Sequence, residues 1–329
     1  MLIIDFSKPF KISENQATNE FEQSVLDFIE YYLCHDKILV QTSGSTGEPK
    51  DLVLSKKNMQ LSAKLTGNFL SLKKNNSALL CLPMSYIAGK MMVVRAIELK
   101  LKLYCIPPKI KLQIPDNYDF AAMTPAQCEA SYSELGKIKK LIIGGAAVKF
   151  DLRKKLEKIS TDCYETYGMT ETITHIAMRK IGQDRSFKVL PQMEIKTGEK
   201  GNLHIKTPYS DNWLETNDLV EITNDGFDFF GRLDDVINSG GVKINPEKVE
   251  NILKPYIRGE FVISSISDED WGEKIVLVVE QNQEVNLFKF SELNLSKFEV
   301  PKEVIFLEKF PRTHSGKIQR KKIKEFLKP

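Results

Sequence analysis

Among 329 residues there are only five cysteines, four histidines and two tryptophans. The cysteines (Cys34, Cys81, Cys105, Cys128, Cys163) are scattered, mostly inside apolar runs, and no two form a C-x-x-C pair. That argues against a disulfide framework or a zinc site, and for reduced, buried thiols in a cytoplasmic protein. The histidines also lack ligand spacing, so no His/Cys metal centre is expected. No apolar stretch is long enough to cross a bilayer. Met1-Leu2-Ile3-Ile4-Asp5-Phe6 has no basic region ahead of a long apolar run, so no signal peptide is read and no membrane partner is expected. An excess of one charge is missing too: 47 Lys and Arg against 44 Asp and Glu leave +3. Nucleic acid is therefore not expected as a partner, and the basic run from Lys317 to Lys324 reads as one solvated helix face.

What is present is a globular composition, 42% hydrophobic and 28% charged, on a chain long enough for two domains. One stretch stands out: Thr42-Ser43-Gly44-Ser45-Thr46-Gly47-Glu48-Pro49-Lys50, directly after the apolar Ile38-Leu39-Val40. Its glycines let the backbone turn so that N–H groups share one concavity, the hydroxyls add donors, and Lys50 adds a point charge. This chemistry suits phosphate oxygens. It is not the G-x-x-x-x-G-K-[ST] loop, whose spacing is absent. Taken alone, a Ser/Gly loop is more often a plain turn between strands.

Along the chain, apolar spacing predicts a helix from Asn19 to Leu33, then strand Lys37–Gln41, the phosphate-type loop, and strand Asp51–Leu54. Ser55 is placed to cap a helix running to about Leu72. Strand Ala78–Leu82, helix Gly89–Leu99 and strand Leu101–Ile106 follow. Phe120–Met123 reads as a strand, with a helix opening at Thr124-Pro125; Leu141–Ile143 ends in Gly144-Gly145, with helix Phe150–Ile159 after it. This alternation predicts an α/β fold with a mainly parallel sheet and helices on both faces. Ligands in such sheets sit where strands end. From about Met193 to Gly231 the period becomes strand-like, suggesting a β subdomain. Pro246–Leu253 then reads as a helix, Phe261–Ile266 and Lys274–Glu280 as strands, and Phe288–Leu295 as helical.

Four further stretches carry chemistry. In Tyr164-Glu165-Thr166-Tyr167-Gly168-Met169-Thr170-Glu171-Thr172, an aromatic can stack on a base, Thr170 can bond a phosphate, and Glu171 can hold Mg²⁺, which takes few carboxylates plus substrate oxygens. In Thr216-Asn217-Asp218 a carboxylate can accept both ribose hydroxyls. Gly231-Arg232-Leu233-Asp234-Asp235 leads into Ser239-Gly240-Gly241-Val242-Lys243. Last comes Pro311-Arg312-Thr313-His314-Ser315-Gly316-Lys317-Ile318, a Gly-containing loop with a lysine, which alone is most often surface decoration.

In this order, from about Gln41 to Lys317, the stretches resemble the adenylate-forming superfamily of acyl-CoA synthetases, peptide-synthetase adenylation domains and luciferases. Leu82-Pro83-Met84-Ser85-Tyr86-Ile87-Ala88-Gly89 and the basic Arg95 resemble most the o-succinylbenzoate–CoA ligases of menaquinone biosynthesis. The resemblance implies ATP, Mg²⁺ and CoA, with a carboxylic acid as the other small-molecule substrate. It places Thr42 to Gly47 and Lys50 on the β- and γ-phosphates, and Gly144, Gly145 and Ala146 along the adenine. Tyr167 would stack on that ring, with Gly168 and Met169 in the same nucleotide turn. Thr170 would meet the α-phosphate and Glu171 the Mg²⁺, while Asp218 and Arg232 take the ribose. Asp234 would be the hinge, Gly241 the glycine of the pantetheine tunnel and Lys317 the catalytic lysine. Tyr86 and Arg95, with Lys90 beside it, are the acyl-substrate candidates. The implied architecture is a large AMP-binding domain over 1–232 and a small mobile α+β lid over 233–329.

The chain departs from the pattern in three places. The part ahead of the phosphate loop is short, which suggests a reduced N-terminal subdomain and leaves a homodimer open. Tyr86 stands where a pocket His is common, and Ala88 where Ser is common. Two rivals remain beside a CoA ligase: an adenylating enzyme that loads a carrier protein, and a nucleotide-binding protein without turnover.

Overall fold

The computed structural model describes residues 1–41, 51–280, 290, 292–312 and 318–327. The chain divides into two compact units, Met1–Glu194 with Lys206–Asp211, and Ile195–Ile205 with Asn212–Pro329.

The first unit runs β1 (Leu2–Asp5), α1 (Glu20–Cys34), β2 (Lys37–Gln41), β3 (Asp51–Ser55), α2 (Lys56–Phe69), β4 (Ser77–Leu80), α3 (Ile87–Glu98), β5 (Lys102–Cys105), β6 (Tyr118–Met123), α4 (Pro125–Ala130), β7 (Ile138–Ile143), α5 (Phe150–Leu156), β8 (Asp162–Gly168), β9 (His175–Lys180) and β10 (Phe187–Val189). Its large sheet has the order β1-β5-β4-β6-β7-β8-β9-β10. The pairs from β5 to β8 are parallel, while β1, β9 and β10 join antiparallel. Central parallel strands are buried on both faces, which is why Ala121-Ala122-Met123 and Leu141-Ile142-Ile143 are continuous apolar runs. One side of the sheet packs Leu79, Ala121, Leu141, Ile143 and Cys163 against Leu152 and Leu156 of α5.

Helix starts follow local chemistry. Asn19 accepts the Glu22 N–H at 3.0 Å and opens α1. Thr124 and Gln127 form a capping box, with Pro125 at the first helical turn of α4. Ser55 behaves differently from the expectation. It stands at the start of α2, but its side chain makes no capping bond. The residue is still paired with Lys37 in the β2–β3 ribbon, and the Lys56 N–H goes to the Asp36 carbonyl at 2.8 Å. Cys34 also departs from the expected burial: it is exposed at the end of α1, while the other four cysteines are buried and free.

The second unit is built from β11 (Glu194–Thr197), β12 (Asn202–Lys206), β13 (Leu214–Thr223), β14 (Gly226–Arg232), β15 (Ile237–Ser239), β16 (Val242–Ile244), α6 (Pro246–Leu253), β17 (Phe261–Asp268), β18 (Gly272–Glu280), β19 (Glu303–Leu307) and α7 (Arg320–Phe326). The strands β11 to β14 form a meander, β15 and β16 a hairpin, and β17-β18-β19 a separate small sheet. Asn245 caps α6 through the Glu247 and Lys248 N–H groups, and Pro246 occupies its first turn. Val249 and Leu253 of α6 pack on Ile263 and Leu277 of the small sheet. Ile323 of α7 packs on the other side, against Val262, Val276 and Val278. Of the helix expected over Phe288–Leu295, residues 288, 289 and 291 lie outside the described residues, and the other five form no α-helix.

Candidate active site

The neighbouring parallel strands β7 and β8, with Ile143 beside Glu165, end on the same side of the sheet. Their ends bring two predicted groups together, Gly144-Gly145-Ala146 and Tyr167-Gly168-Met169-Thr170-Glu171. Thr166 Oγ1 donates to the Ile143 carbonyl at 3.1 Å and occupies the place a side chain at residue 144 would need. Gly145 has φ +85°, a left-handed conformation that favours glycine. A Cβ on Gly168 would run into the Thr174 carbonyl and the His175 Cα. The glycines at 144 and 168 are thus dictated by close backbone approach, and they keep this strand-end surface open.

The turn beyond β8 is held from inside. The buried Thr172 hydroxyl accepts the Met169 N–H at 3.1 Å and donates to the Thr174 carbonyl, 2.7 Å away. The Thr174 N–H returns to the Thr172 carbonyl at 2.8 Å, a γ-turn centred on Ile173 at φ +69°. A β-branched residue in that conformation is strained, by about 1–3 kcal/mol, and such strain persists only where surrounding structure enforces it. Here Ile173 is buried. The strained segment presents Thr170 half-buried and Glu171 exposed.

Beneath the turn lies an ion cluster that the sequence reading did not assign. Glu165 is buried at 4% exposure and is bound by Arg153 of α5 and by Arg179 of β9, at 2.9 Å through Nε. It also accepts the Val148 N–H at 3.0 Å, tying down the chain that follows Ala146. Burial pushes the Glu165 carboxyl up, but Arg179, Arg153 and that N–H outweigh it and hold the carboxyl below its ordinary value. Tyr167 packs against Phe187 at 5.9 Å, and Arg179 stacks on Phe187 at 4.3 Å.

The acyl-substrate candidates part company. Tyr86 is half-buried at the start of α3 and Arg95 sits in its last turn, so the two are about 13 Å apart along the axis. Lys90 is occupied elsewhere, donating to the Leu39 carbonyl at 3.3 Å. Arg95 is 2% exposed and makes no ion pair with a carboxylate among the described residues. Its Nε has no hydrogen-bond partner, and its NH1 reaches only Met92 Sδ, at 3.9 Å. Burial pulls its pKa down to about 10, with Tyr209 opposing weakly. His175 of β9 is held well below its ordinary value, by burial first and Arg95 second, and is neutral.

In the second unit, Arg232 binds Asp218 Oδ1 through NH1 at 3.0 Å and Asp234 Oδ2 through NH2 at 3.3 Å. Asn217 donates to both Asp234 oxygens, at 3.1 and 3.2 Å. The predicted ribose pair and the predicted hinge aspartate thus share one guanidinium. Gly240 and Gly241 make the β15–β16 turn at φ +57° and +78°. Gly240 rests on the Trp271–Phe298 pair and donates to the Trp271 carbonyl at 2.8 Å, whereas nothing lies within 4 Å of a Cβ built on Gly241. The loop Thr42–Lys50 and Lys317 lie outside the described residues.

These oxygen donors suit a hard cation. Magnesium takes one or two carboxylates and completes its octahedron with water and substrate phosphates, and Glu171, exposed beside the Thr170 hydroxyl, offers that kind of set. Among the described residues no group of three or more His, Cys, Asp or Glu is placed to hold a metal by itself.

A parallel sheet with a glycine-lined strand end and a strained Thr-Glu turn is the architecture of an adenylate-forming enzyme. Residues 37–208, more than half of the chain, match the AMP-binding enzyme family, to which this protein belongs. A 2-succinylbenzoate–CoA ligase from Listeria monocytogenes is 26% identical over 95% of this chain and 74% of its own length. A solved acyl-CoA synthetase (AMP-forming)/AMP-acid ligase II-like protein from Dyadobacter fermentans is 31% identical, covers 96% of this chain and 97% of its own, and superposes with a TM-score of 0.65. The o-succinylbenzoate CoA synthetase from Bacillus subtilis, solved with its acyl-adenylate intermediate, shares the fold, with a TM-score of 0.75 at 22% identity over 87% of this chain and 68% of its own.

Proposed function

We propose that this enzyme joins a carboxylic acid to the thiol of CoA at the expense of ATP, and that the acid is o-succinylbenzoate. The acid's carboxylate oxygen attacks the α-phosphorus of ATP, the bond to the β-phosphate breaks, and acyl-AMP and pyrophosphate form. The CoA sulfur then attacks the acyl carbon, and AMP leaves with the carboxyl oxygen. Two anions meet in the first step, so the chain's task is alignment and charge compensation. Thr42 to Lys50 hold the triphosphate, the Gly144–Ala146 edge and Tyr167 take the adenine, Thr170 the α-phosphate, and Asp218 with Arg232 the ribose. Lys317 brings an ammonium to the reacting carboxylate. Glu171 would hold a magnesium ion, which would supply positive charge against the phosphates. Residues 233–329 act as a lid hinged at Asp234, and Gly241 leaves room for the thiol arm. A cytoplasmic location is part of the same proposal.

One observation carries the choice of a diacid: Arg95 is buried with no carboxylate among the described residues to neutralise it. A second carboxylate on the substrate supplies that partner. The test is ATP–pyrophosphate exchange across aromatic and aliphatic acids, followed by product analysis with CoA. Exchange should depend on o-succinylbenzoate, and Lys317→Ala should abolish it while largely sparing CoA transfer from supplied acyl-AMP. Exchange with every monoacid but not with the diacid would refute the substrate. Equal loss of both half-reactions in Lys317→Ala would refute the lysine's role.

A further inference from the structure

Two buried polar atoms of the first unit meet no partner at hydrogen-bond geometry, and their side chains are close enough to feel each other's charge: Arg95 Nε on α3, and Tyr209 Oη in the Thr207–Asp211 segment. Each bears a hydrogen, and a buried donor left unpaired forfeits its hydration without return. The groups around them are already engaged. Ser62 Oγ and Thr174 Oγ1 pair at 3.0 Å. Thr66 Oγ1 donates to the Ser62 carbonyl at 3.1 Å and so accepts from His175 Nε2, also 3.1 Å away. The phenol is pushed up by burial, while Ser62 and Arg95 draw it back. Ser62, whose hydroxyl is shared with Thr174, is the neutral group that reaches the phenol; what the guanidinium and the phenolic O–H lack among the described residues is an anionic acceptor.

We propose that Tyr209 is a specificity-determining residue: its hydroxyl and the Arg95 guanidinium together receive the carboxylate of a diacid that is not activated. A carboxylate is the ligand with matching valence, since one oxygen can take the charged fork and the other the phenol. An acid without that group leaves both donors dry and unpaired, and sites built to hydrogen-bond a substrate group reject analogues that lack it most strongly. The inference rests on the acid-ligase reading for the identity of the substrate, but the receptor itself follows from the unpaired donors.

Tyr209→Phe keeps the ring and removes one donor. Calorimetric binding and ATP–pyrophosphate exchange should be measured in parallel, with o-succinylbenzoate and with its analogue esterified at the second carboxylate. The variant should weaken diacid binding and raise its KM by about tenfold more than for the ester, since a hydrogen bond to a charged group is worth about that factor or more. An equal change for both acids would make Tyr209 a packing residue, and unchanged diacid affinity would overturn the receptor, as would a wild type that does not bind the diacid. Tyr209-dependent diacid binding without exchange would instead remove the ligase reading and leave the receptor standing. Exchange with the diacid that ignores Tyr209→Phe would do the reverse.

Discussion

Arg95 and Arg320 are two buried guanidiniums placed in opposite circumstances. Arg320, at the start of α7, binds Glu250 through both terminal nitrogens at 2.7 and 2.6 Å, and its Nε lies 3.9 Å from both Glu247 and Asp235. Burial would lower its pKa, but those three carboxylates raise it above the ordinary value. Arg95 has no such company, and its pKa falls. Taking an ion out of water costs several kcal/mol unless a partner compensates. Arg320 is compensated within the fold and serves the fold. Arg95 carries a charge that no described carboxylate compensates, and a protein that keeps one has a use for it outside its own packing.

Removing each in turn sharpens that contrast. Arg320→Met takes the shared cation from three acidic groups around α6 and should cost about 3–5 kcal/mol in urea unfolding; a loss below about 1 kcal/mol would break the distinction. Arg95→Met removes a charge that no described carboxylate balances, so the unfolding midpoint should hold or rise, while the KM for the diacid climbs about a hundredfold. A midpoint that falls as far as in Arg320→Met would make Arg95 structural. The smallest effect concerns pH. Glu247 accepts the Arg232 N–H at 3.0 Å. Burial, with Glu250 and Asp235 adding to it against Arg320, lifts its pKa from 4.5 to about 7. The folded state therefore binds this proton more tightly than the unfolded chain. The resulting stability is full below about pH 4.5 and fades as pH rises through about 7. Stability should drop by about 1 kcal/mol between pH 6 and pH 8. Glu247→Gln, which keeps the acceptor without the charge, should flatten that slope.

Much of the fold was readable one residue at a time. Pro246 announced α6 and Thr124-Pro125 announced α4, because caps and ring constraints act locally. The strand-end glycines were equally visible, since Gly144 and Gly168 answer to a steric demand that no other residue meets. Arg95 was less legible. Met91, Met92, Val93, Val94, Arg95 and Ala96 are all buried, so α3 offers no polar stripe from which to tell an arginine that meets substrate from one that faces solvent. An arginine inside six unbroken core positions was the available signal. Glu165 with Arg153 and Arg179 joins α5, β8 and β9, and no local pattern encodes that meeting. Tyr209 comes from a segment far along the chain from α3, with no motif around it.

The Glu165 cluster has a consequence for how the protein tolerates salt. Dissolved ions screen exposed pairs readily and buried pairs much less. Lys11 and Glu14 form an exposed pair, with 71% and 63% of their side chains open to water. Glu165 is shielded by its own burial. The scaffold under Tyr167 and Gly168 is thus built to keep its geometry in concentrated brine, so activity lost there would trace to weakened attraction between the enzyme and its anionic ligands, with the strand ends still in register.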